Sequence, residues 1–270
     1  MSILSEIVER SSVDAQQLVP RRGDLEELLA ARSPIRPFRD ALIGSELSVI
    51  AEIKRRSPSK GVLCENLDAG RQAAEYLGGG ASALSVLTNE PYFDGRVSDL
   101  TAAREETPLP VLRKDFIVED IQVLETAAIG ADAMLLIVAG LPDLGRLRAL
   151  REQAEEFGLA VLVEADDEAG VETALECGAT LIGVTNRNLR DFGEDLTIAE
   201  RVRREIPNDC VAVAESAVRT VGDAERMATA GYDAVLVGEA FVRSTDPAAL
   251  VRAMASVPHA TRGEQSRHTR

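Results

Sequence analysis

Only three of the thirty basic residues in this chain are lysines, and two of them, Lys54 and Lys114, close short apolar runs. The runs are Val49-Ile50-Ala51-Glu52-Ile53-Lys54 and Pro110-Val111-Leu112-Arg113-Lys114. Arginine keeps its proton near neutral pH, whereas a partly desolvated lysine can be tuned to release it. In a chain that uses arginine almost everywhere else, lysine at two strand ends marks candidate acid–base groups. Glu52, Glu164 and Glu215 stand at the ends of runs of the same kind. Two lysines among three glutamates can hold one proton donor and one acceptor in different surroundings, which is what general acid–base catalysis requires. Histidine does not compete for the role, because His259 and His268 fall in a polar tail, 256–270, that reads as disordered. The carboxylates could in principle bind Mg2+, but two ammonium groups make a poor cage for a cation, and no metal is expected.

The elements that must position these groups follow a four-fold rhythm. Four segments run from a glycine into an apolar strand, at 80–86, 130–136, 178–184 and 231–237. Glycine just past a helix takes the left-handed conformation that closes the last turn. Four other strands fall between them, at about 48–53, 110–114, 159–164 and 211–215, and each ends in charge. Leu141–Phe157 puts Leu144, Leu147, Leu150 and Ala154 on one face and predicts a helix, as does the spacing in Val118–Ile129 and Val221–Ala230. Near-continuous apolar strands flanked by helices predict a parallel sheet covered on both faces. Eight such strands in about 250 residues predict a single α/β domain, a (β/α)8 TIM barrel, over 48–255. An open doubly wound sheet is the alternative, disfavoured because no G-x-G-x-x-G follows the first strand. In the barrel, alternate strands feed a common layer and active sites lie at the C-terminal ends of strands. Glu52, Lys114, Glu164 and Glu215 should therefore converge at the mouth, with Lys54 two residues beyond Glu52 on the same side. Any one of them alone would read as a solvated rim charge; four at equivalent places point to a shared site.

Composition narrows the partners. No run of apolar residues is long enough to span a bilayer, and the start of the chain, with Glu6 and Glu9, lacks a signal-peptide profile. Cys64, Cys177 and Cys210 are an odd, scattered set, which argues against disulfides and zinc and for the cytoplasm. A net charge of −15 argues against nucleic acid, and with so little lysine it predicts an acidic surface suited to a salty interior. An anionic ligand must then be met by local donors. Ala214–Val218 and Val237–Phe241 each turn out of a strand into a helical stretch, the usual phosphate position in such barrels. There Gly238, ahead of Glu239, would admit close backbone N–H groups. Arg187, after the sixth strand, offers a fork for carboxylate or phosphate.

Several runs stand out as motifs: 50–61 (Ile50-Ala51-Glu52-Ile53-Lys54 through Ser57-Pro58-Ser59-Lys60-Gly61), Ser85-Val86-Leu87-Thr88 with Tyr92-Phe93-Asp94-Gly95, and Lys114-Asp115-Phe116-Ile117. Leu162-Val163-Glu164, Asn186-Arg187-Asn188-Leu189 and Ala214-Glu215-Ser216 follow them. In this order the runs resemble the indole-3-glycerol-phosphate synthase family, the barrel enzymes of tryptophan biosynthesis. The resemblance implies a carboxy-lyase that needs no cofactor. It would convert 1-(2-carboxyphenylamino)-1-deoxyribulose 5-phosphate, a phosphorylated aryl-amino sugar, into indole-3-glycerol phosphate with loss of carbon dioxide and water. It implies Lys114 as the acid on the substrate ketone and Glu164 as the base, with Glu52, Lys54 and Glu215 completing the charge cluster. Ser57, Asn186, Arg187 and Ser216 would hold anionic ends or hydroxyls, Ala217, Gly238 and Glu239 the phosphate, and Phe93, Phe116 or Tyr92 the aryl ring.

Two positions depart from the family pattern. Thr185 stands where an asparagine is common, losing an amide donor, and Ala217 stands where glycine is usual, which would be strained at positive φ. Residues 1–47 are expected as a helical extension over the mouth, with helices at Ile3–Arg10 and Asp24–Arg32; the alternative is a cap on the barrel floor. No further interface element is visible, so a monomer is expected. Two rivals fit poorly. Phosphoribosylanthranilate isomerase chemistry would want a Cys/Asp pair at strand ends, and no cysteine stands at one. A binding protein that has lost catalysis would be expected to lose Lys114 or Glu164 first, and both remain.

Overall fold

The computed structural model describes residues 3–58, 60–187 and 193–259. Eight parallel strands close a barrel: β1 (Ser48–Ile53), β2 (Ala83–Leu87), β3 (Val111–Lys114), β4 (Ala133–Ile137), β5 (Ala160–Ala165), β6 (Leu181–Thr185), β7 (Val211–Glu215) and β8 (Ala234–Val237). Each strand pairs with the next, and β8 closes on β1 with Ser48 opposite Ala234. The four-fold rhythm is the helix-to-strand turn of every second unit. Gly80, Gly130, Gly178 and Gly231 all have positive φ, between 84° and 97°, where a side chain would be strained.

The helix expected at 141–157 is Leu144–Glu156. It starts late because the Asp143 side chain accepts from Arg146 N and caps it, while Leu141 and Pro142 lie outside. The barrel interior is packed by Ile50, Leu112, Leu135, Leu162, Val213 and Leu236, among others, and a second apolar shell lies between strands and helices. No described helix is long and apolar enough to cross a membrane.

The N-terminal segment travels the length of the barrel. Helix α1 (Ile3–Ala15) lies at the mouth, where Ser11 Oγ donates to the Phe116 carbonyl and Ser12 Oγ to Glu119 Oε1. Helix α2 (Arg22–Ala31) runs down the flank, its Leu25 packed with Ile121, Leu124 and Ala128. Residues 36–43 then reach the floor, where Phe38 and Leu42 join the interior cluster as a plug. Arg36 fastens this stretch by donating to the carbonyls of Arg104, Thr107 and Leu109.

Two aspartates anchor the floor at equivalent places. Asp132, before β4, accepts Val111 N on Oδ2 at 2.9 Å, while its Oδ1 accepts from Arg36 N and Arg104. Asp233, before β8, accepts Ala212 N on Oδ2 at 2.8 Å. Residues 257–259 are held here too. Leu47 N donates to Val257 O at 2.8 Å and His259 N to Ser45 O at 3.1 Å. His259 is therefore not in a loose tail: its side chain is 9% exposed, with Nε2 3.4 Å from Asp233 Oδ1. It is far from the mouth all the same. Residues 260–270, including His268, lie outside the described residues.

Candidate active site

The odd strands carry their charges into one pocket. Glu52, Lys54, Lys114, Glu164 and Glu215 all line it, because alternate strands of the barrel present side chains at the same height. Lys114 Nζ donates to Glu164 Oε2 at 2.8 Å and also contacts Glu215 Oε2, while Lys54 pairs with Glu52 Oε1. Glu52, Glu164 and Glu215 are buried, Glu215 at 1% exposure.

Burial shapes the protonation of this set in a way that strand-end patterns do not reveal. Desolvation alone would loosen the Lys114 proton, which is the direction expected from the sequence. The carboxylates of Glu164, Glu215 and Glu52 outweigh it, and the ammonium stands above the ordinary lysine range. Lys114 thus rests fully protonated, the state an acid must start from. For Glu215, desolvation dominates; Lys114 opposes it and Glu164 adds to it, so the carboxyl is pushed up to about 8. Its Oε1 is buried without a hydrogen-bond partner.

Two glycines make room for these carboxylates. A Cβ on Gly183, in the middle of β6, would collide with Glu215 Oε1 and stand 3.1 Å from its Cδ. A Cβ on Gly238 would collide with Glu52 Oε1 and stand 3.1 Å from its Cβ and Cδ. Gly238 is thus needed for the seat of Glu52, whatever else its open backbone admits. Gly183 went unread in the sequence, although a glycine inside a strand is a signal of close approach.

The apolar wall comes from the loops. Phe93 and Phe116 line the pocket with ring centroids 6.0 Å apart. Phe116 is set by Asp115, whose carboxylate accepts Phe116 N, Thr88 Oγ1, Asn89 Nδ2 and Arg113 Nη2. Ile3, Leu4 and Ile7 of α1 complete the wall. Tyr92 does not line the pocket; its hydroxyl donates to Glu6 Oε1 at 3.0 Å and ties α1 to the loop after β2. Ser57 lines the pocket on the loop after β1, which buried Arg55 fastens by a two-pronged pair with Asp99.

On the opposite side, Ser216, Ala217, Gly238, Glu239 and Arg187 line the pocket, as does Thr185, whose Oγ1 is 3.3 Å from Ser216 Oγ. Ser216 and Ala217 both have positive φ, 64° and 61°, the strained case for a residue with a side chain. Glu239 pairs with Arg243 on its own short helix at 3.0 Å. Asn186 does not enter the pocket. It is fully buried: Nδ2 donates to the carbonyls of Glu215 and Ser216, and Oδ1 accepts Ala199 N. It braces the ends of β6 and β7 and leaves no group for a ligand. Ser59, Asn188 and Leu189 lie outside the described residues. Glu194 and Arg219, which loop composition alone does not single out, also line the pocket.

A profile of the family described as indole-3-glycerol phosphate synthase matches residues 4–254. The chain belongs to the indole-3-glycerol phosphate synthase family. It is 48% identical over 244 residues to "Indole-3-glycerol phosphate synthase 2" of Streptomyces coelicolor, covering 90% of this chain and 94% of that one. It is also 48% identical over 254 residues to "Indole-3-glycerol phosphate synthase" of Streptomyces griseus, covering 93% and 94%. Among solved structures, 3-hexulose-6-phosphate synthase from Salmonella typhimurium superposes with a TM-score of 0.62 at 19% identity, covering 77% of this chain and 97% of that one. That likeness is one of fold. Membership in the indole-3-glycerol phosphate synthase family covers the strands, the loops and α1 alike.

Proposed function

We infer that the protein is an indole-3-glycerol-phosphate synthase, closing the indole ring of 1-(2-carboxyphenylamino)-1-deoxyribulose 5-phosphate with loss of carbon dioxide and water. The observation that carries this reading is a lysine, Lys114, held between Glu164 and Glu215 at the base of a pocket walled by Phe93 and Phe116. The aryl carbon bearing the carboxylate attacks the ketone carbon, and Lys114 gives its proton to the ketone oxygen as the bond forms. Carbon dioxide then leaves, returning its bonding electrons to the ring. In the last step the new hydroxyl departs as water, protonated by Lys54, while Glu164 takes the proton from the adjacent carbon. Burial favours every charge-assisted contact in this sequence, because no bulk water competes.

The pocket's two sides match the two ends of such a substrate. The ring stacks toward Phe116, Phe93 and the α1 residues, and the phosphate faces the backbone around Ala217 and Gly238, with Arg187 beside it. Ser57 and Ser216 serve as hydroxyl partners, and α1 over the mouth excludes water. The reading implies a cytoplasmic enzyme that works as a monomer without a metal or cofactor. Incubating the purified protein with the carboxyphenylamino substrate and following indole fluorescence tests it. Growth of the indole signal is expected; a flat trace with intact substrate would overturn the assignment.

A further inference from the structure

Arg187 and Arg219 reach the pocket from the loops after β6 and β7, and Glu194 stands between them. Oε1 of Glu194 takes Nη2 of Arg187, and Oε2 takes Nη2 of Arg219. An antiparallel backbone bridge between residues 187 and 194 holds the carboxylate in place. The Glu194 side chain is 12% exposed and that of Arg187 20%, so the pair is partly shielded, whereas Arg219 is 53% exposed. A carboxylate with one guanidinium on each oxygen has the geometry that a ligand phosphate or carboxylate would take on the same two arginines. These residues share the pocket with Ser216, Ala217 and Gly238. Glu194 therefore sits where an incoming anion would be drawn, in a chain whose net charge of −15 already repels anions.

We propose that Glu194 is a resident anion that must be displaced from Arg187 and Arg219 by the substrate's anionic group, and that it thereby discriminates the whole substrate from free phosphate. The inference rests on the pocket being the substrate site. A tethered carboxylate competes at an effective concentration of about millimolar or more. A small anion has only the arginines to gain and is held off. A substrate that also fills the aryl wall and meets the lysine–carboxylate cluster has further binding energy with which to displace Glu194. Selectivity here comes from an element that opposes the wrong ligand, as much as from contacts to the right one.

Glu194→Gln preserves the size of the side chain and removes its charge. Titration calorimetry with inorganic phosphate should show affinity rising about tenfold, the scale of one unit charge removed from a partly shielded site. In steady-state assays phosphate should become a correspondingly stronger competitor of the substrate. Arg219→Gln should act in the opposite direction, leaving Glu194 to neutralise Arg187 and weakening phosphate several-fold. Unchanged or weaker phosphate binding in Glu194→Gln would make Glu194 a brace for Arg187 and overturn the proposal. Unchanged binding in Arg219→Gln would overturn it as well, and needs no folded Glu194 variant. The phosphate titration does not depend on turnover. Failure of the wild-type protein to form indole would count against the functional reading and leave this result standing.

Discussion

The two ends of the barrel use buried carboxylates in opposite ways. At the floor, both oxygens of Asp132 are met by donors: Oδ2 by Val111 N, Oδ1 by Arg36 N and Arg104. Asp233 repeats the arrangement half a barrel away on Ala212 N, beside His259. At the mouth, Glu164 and Glu215 share one ammonium, and Glu215 keeps a buried oxygen without a partner against Gly183. Strain collects at the same end, where Ser216 and Ala217 hold positive φ. A satisfied carboxylate fixes backbone and has no capacity left for a ligand. One left short of donors in a pocket is poised to exchange a proton. The difference separates groups that hold the barrel from groups proposed to work in it.

The comparison can be broken by substitutions at each end. Glu164→Gln keeps the shape of the side chain and removes the base, so kcat should fall about 10²- to 10⁴-fold with KM little changed. A change confined to KM would make Glu164 a binding residue. Asp132→Asn should act on stability alone. It leaves Arg36 and Arg104 without their buried counter-charge, at a penalty of roughly 2–4 kcal/mol. Chemical denaturation should show that loss, while kcat/KM per folded molecule is retained; a large loss of turnover would erase the distinction between floor and mouth.

The pH dependence of stability sharpens the contrast. Glu215 titrates at about 8 in the folded protein against an ordinary value of 4.5. Between those values the folded state holds a proton that the unfolded chain has released, so this group's contribution to stability falls as pH rises through the window and levels off above it. Lys114 stays protonated in both states across the window and adds no slope. Glu215→Gln cannot ionise, so its Tm relative to wild type should climb between about pH 5 and about pH 9. A constant difference would mean that Glu215 is ionised throughout. The smallest effect is expected at Ala217→Gly, which relieves the positive φ and should stabilise the fold by about 1 kcal/mol; a destabilised variant would show that the turn carries no strain.

Strand ends were legible because buried parallel strands are continuous apolar runs, and a charge at the end of one has few places to go except the mouth. That reasoning located Glu52, Lys114, Glu164 and Glu215 correctly as neighbours. Asn186 reached the site only through the family resemblance, and the structure turns its side chain onto the carbonyls of Glu215 and Ser216, because the side that a residue faces beyond a strand is decided by the turn. Tyr92 and Phe93 were equivalent as aromatic neighbours until the short helix Glu90–Phe93 sent one ring to the pocket and the other hydroxyl to Glu6. The path of the N-terminal segment from mouth to floor depends on Phe38 finding the barrel interior, a contact without local pattern. Glu194 and Arg219 look like solvated loop charges until Arg187 brings them together. The direction of the Lys114 shift needed the number of carboxylates around it, which no single strand discloses.

The central claim is that the Lys114 proton, held between Glu164 and Glu215, is the one delivered to the substrate ketone. Lys114→Arg keeps the positive charge but replaces a compact ammonium seated between Glu164 and Glu215 with a larger planar fork that cannot present one proton at the same point. Single-turnover indole fluorescence with substrate and saturating enzyme reads that step directly. The account predicts a folded variant with wild-type Tm that still binds substrate and forms indole at least about 10²-fold more slowly. An indole rate close to wild type would contradict it.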